Sequence, residues 1–253
     1  MWQANYIIVD DIFSGFASNH EDVMTRSDLY FKLLNEDIDR QNVKLAFGQG
    51  VHEHDIRSMV ESLSKQSASF SYASDTQLVK ASKQNTHKHF SQNILVSIAR
   101  ESAENIYEMD LLLDGANEFF NDHMTGQHVQ GMALIEASRQ AFLSVTEQFY
   151  LAGDDREFYF VINNIHIDYL QFLFPLRSTI KYTILEEKIK GDRLSFNVAV
   201  DIIQAGKVCA TTHIRFTAFE KMTIVGKEQG IANKVISAVH QQHAVENAIN
   251  KAA

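Results

Sequence analysis

A chain of 253 residues, 45% of them hydrophobic, has material for one large domain or two modest ones with a real core. Its 32 acidic and 23 basic side chains leave a net charge of −9, which argues against nucleic acid as the main partner, because phosphate backbones are held by clustered Lys and Arg. The single cysteine, Cys209, excludes an intramolecular disulfide and suits a small buried hydrophobe in an apolar strand.

At the N-terminus the apolar run Tyr6 to Val9 stops at Asp10-Asp11 with no basic segment before it, so neither a secretion signal nor a membrane span is expected, and the cytoplasm is the expected location. Residues 1 to about 65 then alternate: a strand at Tyr6 to Val9, a helix from Ser27 to Leu34 capped by Thr25 or Ser27, a strand at Val43 to Phe47 and a helix from His54 to Leu63. This predicts a small β-α-β-α unit. Asp10-Asp11 after a strand is read as a solvated strand end, and Gly48-Gln49-Gly50 as a turn, because the third glycine and the later acid of a nucleotide loop are missing. Ser, Gln, Lys and Asn dominate residues 65 to 85, which predicts a linker or loop and a boundary near residue 80.

Beyond it, strands are expected at Asn93 to Ile98 and Ile106 to Leu113, followed by a loop and a long helix, then by four more strands: Phe158 to Asp168, Ser178 to Glu187, Ser195 to Gln204 and Lys207 to Phe219. Alternating Phe196, Val198, Val200 and Ile202 give the third of these one apolar face. A helix from about Glu228 to Ala252 closes the chain. The expected class is α+β, an antiparallel sheet wrapped around one long helix over residues 81–222, after an N-terminal unit at 1–80 and before a C-terminal helix at 223–253.

The most informative stretch is 122–141. A loop with Gly126, Gly131, His123 and His128 runs into a helix carrying Glu136, Arg139 and Gln140. Ile135, Phe142, Val145 and Phe149 are expected to form its buried stripe. Glu136 with Arg139 has a plain alternative, an i,i+3 ion pair on a solvated face. A metal held by the histidines is not expected, because no zinc-like spacing is present.

The spacing His-x-x-Gly-x4-Gly-x4-Glu-Ala-x-x-Gln from His123 to Gln140 resembles the active-site segment of hotdog-fold hydroxyacyl-carrier-protein dehydratases, with one residue fewer between the glycines. The resemblance to the A-factor biosynthesis (AfsA-like) hotdog family is closer. It rests on Thr86-His87-Lys88, Leu95-Val96-Ser97, His123, Gly131-Met132 and Glu136-Ala137-Ser138-Arg139-Gln140-Ala141, and extends over residues 86 to about 219. It implies a hotdog fold acting on acyl thioesters, with transfer of a β-ketoacyl group from an acyl carrier protein or CoA to dihydroxyacetone phosphate towards γ-butyrolactone signals. Dehydration, thioester hydrolysis and non-catalytic binding of an acyl group or lactone are the alternatives. His123 and Glu136 would take the dehydratase pair's places.

In chemical terms, the amides of Gly131 and Met132 at the helix start suit a developing oxyanion, where losing one donor typically costs about 3 kcal/mol. Glu136 would be a general base if burial lifted its pKa, whereas a pairing with Arg139 would lower it; Arg139 could instead bind a phosphate. Gln140, His128, His87 and Lys88 are the expected substrate contacts, and no cofactor is implied. Docking of an acidic carrier protein would need a basic patch, for which Lys88, Arg100, Lys181 and Arg215 are candidates. The family carries two repeats where a single Glu-Ala-x-x-Gln segment is found here, so a homodimer is expected to complete the site.

Overall fold

The computed structural model describes residues 4–35, 43–66, 69–73, 79–120 and 126–252, with backbone alone for residues 66 and 244–252. The N-terminal unit contains β1 (Tyr6–Val9), a 3-10 turn at Asp11–Phe13, α1 (Ser14–Ala17), β2 (Val23–Thr25), α2 (Arg26–Leu34), β3 (Val43–Phe47), α3 (Glu53–Gln66) and β4 (Phe70–Ala73). Its strands form a parallel sheet in the order β2-β1-β3-β4. Thr25 starts α2 with a capping box, its side chain accepting from the Asp28 amide while the Asp28 carboxylate returns to the Thr25 amide.

Two of these strands correct the sequence reading. β2 is three residues long and wholly buried, so it shows no alternation, and β4 lies in the Ser-rich stretch read as a linker. Residues 83–86 of that stretch also form a short helix, α4 (Lys83–Thr86).

A parallel sheet needs both faces covered. One face packs Ile8, Leu45, Met24 and Leu29 with Met59 and Leu63, while Val9, Phe13, Phe16 and Val23 join the core of the following sheet. Gly48-Gln49-Gly50 is the junction. The Gln49 side chain donates through Nε2 to the Leu111 carbonyl at 2.8 Å and its Oε1 accepts from the Leu113 backbone amide at 2.8 Å. A side chain at Gly48 would place its Cβ 2.6 Å from the Pro175 carbonyl oxygen, so the close approach of two backbones explains that glycine. Asp10 is buried at the same junction, with its carboxylate against Gly115, and is not a solvated strand end.

The second sheet contains β5 (Arg100–Ala103), β6 (Ile106–Asp110), β7 (Phe158–Tyr169), β8 (Thr179–Lys190), β9 (Arg193–Gln204) and β10 (Lys207–Glu220). It is antiparallel in the order β5-β6-β8-β9-β10-β7, with β7 at the edge. The strand expected at Asn93 to Ile98 is instead a 3-10 turn at Ser91–Asn93 followed by isolated bridges at Val96 and Ser97, because Lys80 and Leu111 supply only single pairings.

Helix α5 (Gly131–Val145) packs on β8, β9 and β10 and continues as a π-helical turn at Thr146–Tyr150. Ala133, Ala137 and Ala141, one turn apart, are fully buried and let the helix lie close to the sheet. Its buried stripe differs from the expected one: Phe142 and Val145 are buried, Ile135 is half-buried and Phe149 is exposed. The π turn adds a residue to the last helical turn and rotates Phe149 outward. Helix α6 (Lys221–Ala252) starts earlier than the sequence pattern indicated, and touches β10 and β7 at its base. Among the described residues no helix is long and apolar enough to cross a membrane.

Candidate active site

Lys88 follows α4, and Glu136, Arg139 and Gln140 lie on one face of α5. The fold closes them into one cluster. Glu136 Oε1 lies 2.8 Å from Lys88 Nζ, Arg139 donates through Nε to Oε2 at 2.7 Å and through Nη2 to Oε1 at 2.9 Å, and Gln140 Nε2 donates to Oε1 at 3.0 Å. The Glu136 side chain is only 12% exposed. Burial pushes its carboxyl pKa up, but the hydrogen bonds from Arg139 and Lys88, the Arg139 charge and the bond from Gln140 together bring it below the ordinary carboxylate value. Of the two roles open to Arg139, the structure therefore shows the pairing, and the lifted pKa that a basic Glu136 needs is not found.

Gln140 is fully buried and cannot touch a substrate. Its Oε1 accepts from the Leu95 amide and its Nε2 also donates to the Asn93 carbonyl, both at 2.8 Å, so it fixes Glu136 to the loop before β5. Two cations thus share one part-buried carboxylate; Glu118, 3.6 Å from Lys88, is largely exposed and only weakly compensating.

His87, beside Lys88, has its Nε2 2.8 Å from Glu147 Oε1 and its ring edge-on to Phe160 at 5.2 Å. His87 and Arg139 line a cavity of about 170 Å³ with Phe142, Leu143 and residues of β7, including Phe158 and Phe160. Glu147 was missed in the sequence because the stripe Arg139, Leu143, Glu147, at successive i+4 steps, passes into the π turn.

At the start of α5 no side chain of the capping residue Gln130 bonds the first amides, and Met132 is 55% exposed. The space beside Gly131 is taken by Tyr169: a Cβ there would lie 2.7 Å from the phenol oxygen. His128 packs against Phe172 at 4.8 Å and is not joined to the Glu136 cluster. His123 lies outside the described residues.

Of the other cations considered for carrier docking, Arg100 and Lys181 both oppose Glu108 across β5-β6-β8, and Lys181 opposes Asp201 on β9. That row alternates in sign and is no basic patch. Arg215 sits at an irregularity of β10. A larger cavity, about 590 Å³, lies at the junction of the two sheets between Gln49, His52, Lys80, Asp114 and Arg177, away from Glu136.

A profile of the A-factor biosynthesis hotdog domain matches residues 71–220. No curated protein matches the chain. Among solved structures, the chain is similar to a mutant thioesterase from Pseudomonas aeruginosa (10% identity, 49% of this chain and 81% of that one, TM-score 0.36). It is also similar to the E. coli PaaI protein from the phenylacetic acid degradation operon (13%, 48% and 80%, 0.33) and to an uncharacterized Pyrococcus horikoshii protein (20%, 56% and 95%, 0.38). The sheet wrapped on α5, the profile match over more than half of the chain and the Glu136 segment agree: the chain belongs to the A-factor biosynthesis hotdog family.

Proposed function

We propose that this protein transfers a β-ketoacyl group from an acyl carrier protein or CoA thioester to a hydroxyl acceptor such as dihydroxyacetone phosphate, giving an ester on the way to a γ-butyrolactone-type product. The observation that carries this reading is the excess of positive charge at Lys88, Glu136 and Arg139 next to an aromatic cavity. Arg139 Nη1 has no partner among the described residues, so the guanidinium keeps a donor for a phosphate while its other edge is held by Glu136. The apolar walls suit the acyl chain.

A second copy of the chain completes the groove in this reading. The edge strand β7 is twelve residues long and leaves Tyr159, Ile162, Ile165 and Tyr169 exposed, followed by Leu170 and Phe172. Such an edge is a template for strand pairing, and it runs beside the cavity.

The test is mass analysis of β-ketoacyl carrier protein incubated with the purified protein, with and without dihydroxyacetone phosphate. Loss of the acyl group only with the phosphate acceptor, and appearance of the phosphorylated ester, is the expected result. Equal loss without acceptor would instead identify a thioesterase. The full set of donors on Glu136 also suits a non-catalytic acyl- or lactone-binding module; an unchanged thioester together with a ligand-induced thermal shift would establish it.

A further inference from the structure

We infer that His87, held by Glu147, is the proton-transfer base of this site, with Glu136 as the group that positions Lys88 and Arg139. The inference rests on the acyl-transfer reading above. Every donor around Glu136 is a reason against that carboxylate taking a proton, since Lys88, Arg139 and Gln140 occupy its oxygens. His87 is built differently. It ends α4 in the left-handed region, at φ 53 and ψ 45. Non-glycine residues adopt this region rarely, and here it fixes the direction in which the chain leaves α4.

The conformation aims the imidazole at the π turn, where Glu147 meets Nε2 at 2.8 Å and the Phe160 ring flanks it. In the tautomer that donates Nε2–H to Glu147 Oε1, Nδ1 carries the lone pair. The ring lines the same cavity as Arg139, which links it to the cationic cluster.

In the reaction, Nδ1 takes the proton of the acceptor hydroxyl as that oxygen bonds the thioester carbonyl carbon. In this step Lys88 is the cation for the oxyanion that forms, while the free Nη1 of Arg139 holds the acceptor's phosphate. When the carbon–sulfur bond breaks, the imidazolium returns the proton to the departing thiolate, giving an ester and a free thiol with His87 neutral again. No proton, electron pair or co-reactant is left over.

The ionisable groups around the ring are Glu147 and Arg139 from the central helix and its π turn, Tyr159 from β7, and Lys83, Lys88 and His89 from its own segment. Of these, His89 is exposed and serves as the imidazole control. The experiment is acyl transfer by the full-length protein from about pH 5 to 8 with His87→Asn, His87→Gly, Glu147→Gln, Glu147→Asp and His89→Asn. Asn and Gly both suit a left-handed position, so these two His87 variants fold as well as the parent or better by thermal midpoint.

The expected result is a loss of about 100-fold or more in kcat for both His87 variants. The acid-side fall of the wild-type profile is absent from them. Glu147→Gln loses rate with KM unchanged, Glu147→Asp recovers part of it, and His89→Asn keeps the wild-type profile. If His87→Asn retains both the rate and the acid limb while the wild type turns over, the base assignment is overturned and the acyl-transfer reading stands. If the wild type shows no transfer at all, that reading fails and this inference fails with it.

Discussion

On the proposed reading, Glu136→Ala is expected to lower acyl transfer about 100-fold and to cost about 2 kcal/mol of stability, because removing one member of a part-buried ionic cluster leaves its partners without compensation. Lys88 and Arg139 lose the carboxylate that sets their positions, and a fully buried Gln140 loses one acceptor. Glu136→Gln is the informative companion, since it keeps the shape and one oxygen but not the charge. The stability difference also depends on pH in a defined direction. The Glu136 carboxyl titrates below its ordinary value of 4.5 in the folded chain, so its contribution is fully present above that value and is lost as pH falls through the lower folded value. Thermal midpoints of the wild type and Glu136→Gln therefore lie apart at neutral pH and draw together on acidification; a constant separation would contradict the ionised state assigned here.

Phe216→Ala has the largest expected effect on stability, about 3 to 5 kcal/mol by chemical denaturation. Phe216 is 1% exposed, and its ring stacks on Phe142 at 4.2 Å and Phe196 at 5.2 Å, with Phe160 at 6.3 Å. The neighbours come from α5, β9 and β7, so the ring joins the helix to both strands flanking β10. Three elements cannot all move inward to fill the space. A domain whose total stability is about 5 to 15 kcal/mol is brought near its unfolding threshold by such a loss. A cost under about 1 kcal/mol would mean that the aromatic cluster is not the centre of the core.

The last three strands were legible because each is long and has one buried face, so that buried Leu194, Phe196, Val198, Val200 and Ile202 alternate along β9, whereas the edge strand β7 has no buried residue. The parallel strand β2 was not legible, being too short and too completely buried to show a period. Helical spacing placed Glu136, Arg139 and Gln140 together, but nothing in it brings in Lys88, whose side chain reaches Glu136 only through the path of the loop after α4. Gln140 has a residue type that could bind substrate, and its complete burial against Leu95, Asn93 and Glu136 is a tertiary property that spacing does not reveal. Gln49 and Gly48 carried a turn signature, yet their purpose is the docking of two sheets, visible only once Leu111, Leu113 and Pro175 are opposite them.

The most direct measurement of the central claim is a crystal structure of the protein with a non-hydrolysable acyl-pantetheine amide. The acyl chain is expected between Arg139, Phe142 and Phe160, with the amide carbonyl within reach of His87 and Lys88. An analogue lodged instead in the cavity between Gln49, Lys80 and Arg177, with the Glu136 cluster undisturbed and empty, would contradict it.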